Sequence, residues 1–132
     1  MDGKELQIGN YIEAFGIKRI VAGIFGGQDF LMLDTYIPSF GYRESTLSFR
    51  CEYAHPIPLT PEILAKNGFK TLEFYSELVI SDPNEHTQVQ WDGSHLRCKK
   101  MGSGELELTC CKYVHQLQNA LHICGINKDI IL

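Results

Sequence analysis

The chain has 132 residues, a mass of 15.0 kDa and 44% hydrophobic residues, which suits one ordinary domain whose core needs neither metal nor disulfide staples. Its 12 basic side chains stand against 16 acidic ones, and the balance is 5 to 7 in residues 1–58 and 7 to 9 in residues 59–132, so neither half is a basic arm. Since Lys and Arg contacts to phosphate supply most nonspecific nucleic-acid affinity, this charge disfavours DNA or RNA as a partner.

No apolar run approaches the roughly 20 residues of a membrane-spanning helix, and the opening "MDGKELQIGNYIEAFG" has no positive segment ahead of an apolar one. A cytoplasmic protein without membrane attachment is expected. The cysteines, Cys51, Cys98, Cys110, Cys111 and Cys124, are odd in number and lack the spacing of a secreted disulfide framework, so reduced thiols are expected.

In chain order, "QIGNYIEA" alternates Ile8, Asn10, Ile12 and Ala14 against Gly9, Tyr11 and Glu13. "KRIVAGIF" is a second apolar run, and "FGGQDF" sets Gly26 and Gly27 where a hairpin needs positive φ. "TLSFRCEY" puts Leu47, Phe49, Cys51 and Tyr53 on one face of a strand. These pieces predict an antiparallel N-terminal meander, of which a small SH3-like barrel is one form.

At "HPIPLTPEILAKNGF" the period changes. Thr60 offers an N-cap hydroxyl, Pro61 suits the first helical position, Glu62 faces the positive helix end and Gly68 supplies a left-handed stop. A short helix anchored by Ile63 and Leu64 is expected. "TLEFYSELVI" then reads as one strand, with Leu72, Phe74, Leu78 and Ile80 on one side. In "TQVQWDGSHLRCKK", a two-residue Asp92-Gly93 turn would set Trp91 opposite Ser94, Val89 opposite Leu96 and Thr87 opposite Cys98, leaving Gln88, Gln90, His95 and Arg97 outward. "ELELT" supplies a further strand ahead of the last helix.

In "KYVHQLQNALHICG", Tyr113, Val114, Leu117, Ala120, Leu121 and Cys124 fall within one arc at about 100° per residue, while His115, Gln118, Asn119 and His122 occupy the opposite arc. Gly125 ends the helix, and the final "DIIL" is apolar enough for an edge strand or a tucked segment. The fold class expected is α+β: an antiparallel meander, a short helix, a second antiparallel meander and a C-terminal amphipathic helix, in a single domain over residues 1–132.

Chemistry-bearing constellations are sparse. No Cys-Cys or His-His pair has the spacing of a structural zinc site. Cys111 and His115 are four apart, but a second ligand pair would have to come from elsewhere. Cys51, Cys98 and Cys124 fall on apolar faces where a thiol is inert, and Cys110 and Cys111 precede a helix N-terminus where a thiolate is favoured. Glu73 with Glu77, and Glu105 with Glu107, read as solvated charge. "AGIFGG" and "GSG" match no phosphate-binding loop. No catalytic residue, cofactor or metal is expected.

The pieces "LQIGNYI", "HPIPLTPEIL" followed by "NGF", and "YVHQLQNAL", in that order from Leu6 to Leu121, resemble a group of small uncharacterised proteins of gut bacteria and their prophages or mobile elements. The resemblance implies a cytoplasmic accessory protein; it brings no activity and no site residues. Where those proteins continue the last helix through a Thr-Gly-Glu-Glu-like end, this chain has "HICGINKD".

Together these readings lead to a non-enzymatic protein-interaction module that meets a protein partner or a second copy. The runner-up is a nucleic-acid accessory protein built on a small β-barrel. The uncharged stripe His115, Gln118, Asn119 and His122 is the candidate binding surface, against the plainer reading that it is the wet side of an amphipathic helix.

Overall fold

Turn chemistry sets the first sheet. In the computed structural model, which describes residues 3–27, 30–35, 47–71, 78–82, 87–100, 104–126 and 129–132, β1 (Tyr11–Ala14) and β2 (Ile17–Phe25) pair antiparallel through a two-residue turn. Phe15 and Gly16 both take positive φ there, 53° and 72°, the signature of a type I′ hairpin turn. At the next hairpin Phe25 pairs with Phe30 of β3 (Phe30–Thr35), and Gly26 and Gly27 sit at φ 63° and 66° as the sequence requires. β4 (Leu47–Arg50) adds to β3. After a 3-10 turn, Cys51–Tyr53, β5 (Ala54–Pro56) returns beside β1. The strand order is β4-β3-β2-β1-β5, and no closed barrel is seen among the described pairings.

Ile12, Ala14, Val21, Leu31, Leu33, Cys51 and Ala54 form this sheet's core, with Leu6 packed among them. Asn10 is buried with its Oδ1 accepting from Gln7 N–H at 2.8 Å. Ile8 departs from the expected inward face and is 67% exposed. Gly9 at φ 95° breaks the extended run before Tyr11, so the period-two alternation does not reach back to Ile8. Tyr53 departs likewise, because the chain leaves β4 at Cys51 and the 3-10 turn rotates the ring outward.

The second sheet begins after α1 (Pro61–Lys66). Thr60 Oγ1 accepts from Ile63 N–H at 3.2 Å, and Pro61 occupies the first turn. At the other end Phe69 N–H donates to Leu64 O at 3.0 Å and Gly68 N–H to Ala65 O at 3.2 Å, a Schellman stop with Gly68 at φ 88° and Phe69 buried. Five antiparallel strands follow in the order β10-β9-β8-β7-β6: β6 (Lys70–Thr71), β7 (Leu78–Asp82), β8 (Thr87–Trp91), β9 (His95–Lys100) and β10 (Gly104–Cys110). α2 (Val114–Ile123) closes the sequence of elements.

Two expectations are corrected here. The stretch expected as one strand from Thr71 to Ile80 contains a reversal, because Thr71 pairs antiparallel with Leu78; its faces at Leu72 and Phe74 lie outside the described residues. The β8–β9 register is shifted by two residues: Trp91 lies opposite Leu96, Val89 opposite Cys98 and Thr87 opposite Lys100. Asp92 Oδ1 causes the shift by accepting from His95 N–H (2.7 Å) and Ser94 N–H (2.9 Å), which widens the turn. A shift of two keeps every side chain on its face, so Val89, Trp91, Leu96 and Cys98 are buried as expected.

Length predicts one domain; packing sorts the chain into two compact units, Met1–Ile57 and Pro58–Leu132. Fold class follows the expectation, α+β with two antiparallel sheets and a C-terminal helix. No helix among the described residues is long and apolar enough to cross a membrane.

Candidate functional site: an aromatic face beside a buried arginine

The start of α2 is tied to the segment before α1. Pro58 and Tyr113 form an antiparallel bridge, and Leu59 N–H donates to Lys112 O at 2.9 Å. Gln116 Oε1 reaches back to accept from Lys112 N–H (2.8 Å) and Tyr113 N–H (3.1 Å), satisfying donors that open the helix. The Tyr113 ring stacks on His115 with centroids 6.0 Å apart.

This anchorage divides the stripe expected to face water. His115 is buried, 1% exposed, beneath a helix start that is bridged and stacked over. Gln118 and Asn119 are half-buried, and His122 is exposed. The helical spacing brings the four together on one side as the 3.6-residue period requires, but they form a gradient from core to solvent. On the opposite arc Val114, Leu117 and Leu121 are buried, and Cys124 at the helix end hydrogen-bonds the Cys98 thiol of β9, which seats the helix end on the sheet.

The thiols sort by burial. All five are free. Desolvation, with the Cys110 sulfur beside it, pushes Cys111 from 9.0 up to about 12, and desolvation with the Cys98 thiol does the same for Cys124. Neither is a nucleophile near neutral pH. Cys110 alone is exposed among the described cysteines. Among the described residues no group of three or more His, Cys, Asp or Glu side chains is placed to hold a metal ion.

A second surface with chemistry-bearing side chains lies on the first unit, apart in sequence from the α2 stripe. Phe15 stands at φ 53°, a left-handed conformation in which a bulky side chain is a rare outlier. Its side chain nonetheless remains 61% exposed. It lies 5.3 Å from the Phe49 ring of β4 and stacks 5.4 Å from the Tyr53 ring of the 3-10 turn, itself 46% exposed. Three elements thus present one continuous row of rings.

Arg19 of β2 lies beneath this row. It shares the core side of the sheet with Val21 and Ile12, and it is only 6% exposed. Its Nε donates to Ala14 O at 3.3 Å, and its guanidinium sits 5.0 Å from the Phe49 ring centroid, within range of a cation–π contact. Among the described residues no carboxylate stands against it. Arg50 and Glu52, the neighbouring exposed charges, pair with one another at 3.8 Å.

Periodicity sets Phe49 and Tyr53 on one strand face but marks neither them nor Phe15 and Arg19 as a site. The available signal is "EAFGIK", in which a phenylalanine precedes glycine at a place where a two-residue hairpin usually carries Asn, Asp or Gly. An aromatic there breaks the local rule. No family model, no curated protein and no solved structure matches the chain.

Proposed function

We propose that this protein is a non-enzymatic protein-interaction module, a small cytoplasmic accessory protein of the phage or mobile-element kind that its sequence pieces resemble. The observation that supports this reading is Phe15, whose backbone strain of roughly 1–2 kcal/mol holds an aromatic ring in water next to two others. Folding alone favours glycine at that place, so the exposed ring is better explained by something that covers it. The sheet order, with β5 returning beside β1 after a 3-10 turn, fits an open form of the SH3-like arrangement. Aromatic-lined surfaces on such small sheets are a common way of docking protein segments. The α2 stripe keeps a lesser claim, through His122 and the half-buried Gln118 and Asn119.

The runner-up, nucleic-acid binding, also uses exposed rings as stacking platforms. It lacks the positive track that carries such binding, since the chain is net −4. A photo-crosslinking amino acid placed at residue 15, in cells that carry the gene, separates the two. A discrete protein adduct formed at residue 15 and missing when the same group stands at residue 112 supports the module. Adducts to nucleic acid alone, or equal adducts from both positions, reject it.

A further inference from the structure

We infer that the segment 129–132 is an exchangeable strap whose seat on α1 also receives the strap of a second copy, so that two chains join by trading this segment. The inference goes beyond the interaction-module reading and does not depend on the aromatic face.

The seat is built at the end of α1. Asn67 is only 5% exposed, and its side-chain amide is spent on main chain. Its Oδ1 accepts from Ile131 N–H at 2.7 Å, while Nδ2 donates to Ile131 O at 2.7 Å and to Ile63 O at 2.8 Å. Lys66 Nζ donates to Leu132 O at 2.7 Å. Ile130 and Leu132 are buried whereas Asp129 and Ile131 are exposed, the period of two of an extended segment. Main chain held at two points, with alternate side chains buried, is the way an added β-strand is recognised by another protein. These bonds read the backbone of the strap, so they are satisfied equally by the same segment of another chain.

The occupant follows from what fits the seat. Every copy carries both the strap and the seat, so reciprocal exchange closes a two-fold dimer. Reach sets where the copies meet. Ile126 is buried and pinned by its N–H to Leu121 O at 2.9 Å, and from Ile126 to Asp129 the chain spans at most about 11 Å. A second seat must therefore come close to the end of α2. Ile123 and Ile131, 65% and 48% exposed, flank this link and are the large exposed hydrophobic side chains among the described residues of the second unit. A second copy brought in by its strap covers apolar surface that the single chain leaves in water.

The test mixes two full-length variants. Asn67→Ala keeps its strap and weakens its seat, whereas Ile130→Ser with Leu132→Ser keeps its seat and empties it. Circular dichroism checks both folds, and size-exclusion chromatography with light scattering reads the mass. The expected result is a monomer for each variant alone and a one-to-one heterodimer on mixing, which a peptide of residues 127–132 disperses. Monomers in the mixture, or dimers of either variant alone, overturn the inference. So does a heterodimer that survives when the emptied chain also carries Asn67→Ala, because the contact then lies elsewhere. If either variant unfolds, unlabelled and isotope-labelled parent chains are mixed and measured by native mass spectrometry near about 1 mM, where a free strap competes with a tethered one. A mixed-mass dimer that Leu132→Ser weakens at least about tenfold, as loss of a buried leucine requires, supports exchange. No mixed dimer, or one indifferent to Leu132→Ser, overturns it.

Discussion

Phe15 and Gly26 show how a single residue divides fold from function. Gly26 and Gly27 share positive φ, but a Cβ at Gly26 would lie 2.7 Å from Phe30 Cδ2 whereas one at Gly27 would meet open space. Gly27→Ala should therefore cost about 1 kcal/mol, from the backbone alone, and Gly26→Ala measurably more. Equal denaturation midpoints for the two variants would contradict the placement of the Phe30 ring. His115 and His122 make a second contrast. A glutamate at buried position 115 should cost roughly 3–5 kcal/mol, the range for an uncompensated buried charge, whereas His122→Glu should stay within about 0.5 kcal/mol. Similar losses from both would mean that the helix is rotated from the orientation described. The thiols give a pH dependence. Cys111 and Cys124 ionise near 9.0 when unfolded and only at about 12 when folded, chiefly because burial disfavours the thiolate. The stability they contribute is intact below pH 9 and is lost as the pH rises from 9 towards 12. Urea midpoints should fall across that window, and more gently in Cys111→Ala.

Among elements, α1 was the most legible in the sequence. Thr60, Pro61 and Gly68 each carry a local signal that does not depend on the rest of the fold, and each takes the expected role. Thr60→Ala should cost about 1 kcal/mol in a denaturant titration; no change would show that the cap bond at 3.2 Å is not holding the helix start. The tail illustrates what local signals miss. Asn67 exchanges two hydrogen bonds of 2.7 Å with the backbone of Ile131, Lys66 Nζ donates to Leu132 O, and Ile130 and Leu132 are buried. Apolarity in "DIIL" indicates burial, but nothing in the sequence names Asn67 as its holder. The β8–β9 register was legible in its faces and not in its pairing. Alternation fixes a strand only to within two residues, and the remaining choice belongs to the donors gathered by Asp92.

For the whole molecule, the α+β class followed from alternation and helical period, while the division into two units did not, because packing between elements leaves no mark in local composition. The candidate site was hidden for a related reason. Helical period singles out the polar residues His115, Gln118, Asn119 and His122 on one helix face, whereas the proposed site of the first unit is gathered from a turn, two strands and a 3-10 turn. What unites Phe15, Arg19, Phe49 and Tyr53 is strand pairing, which becomes visible only once the sheet is formed. On the proposed reading, Phe15 is kept for docking and not for the fold. Its most direct test is Phe15→Gly, examined for denaturation midpoint and for recovery of protein partners from cells that carry the gene. The expected result is a fold within about 1 kcal/mol of the parent, because relief of roughly 1–2 kcal/mol of left-handed strain largely offsets two ring contacts worth about 0.5–1.5 kcal/mol each, together with loss of the partners. A destabilised variant that still recovers every partner would contradict it, since the ring would then belong to the fold and not to a binding site.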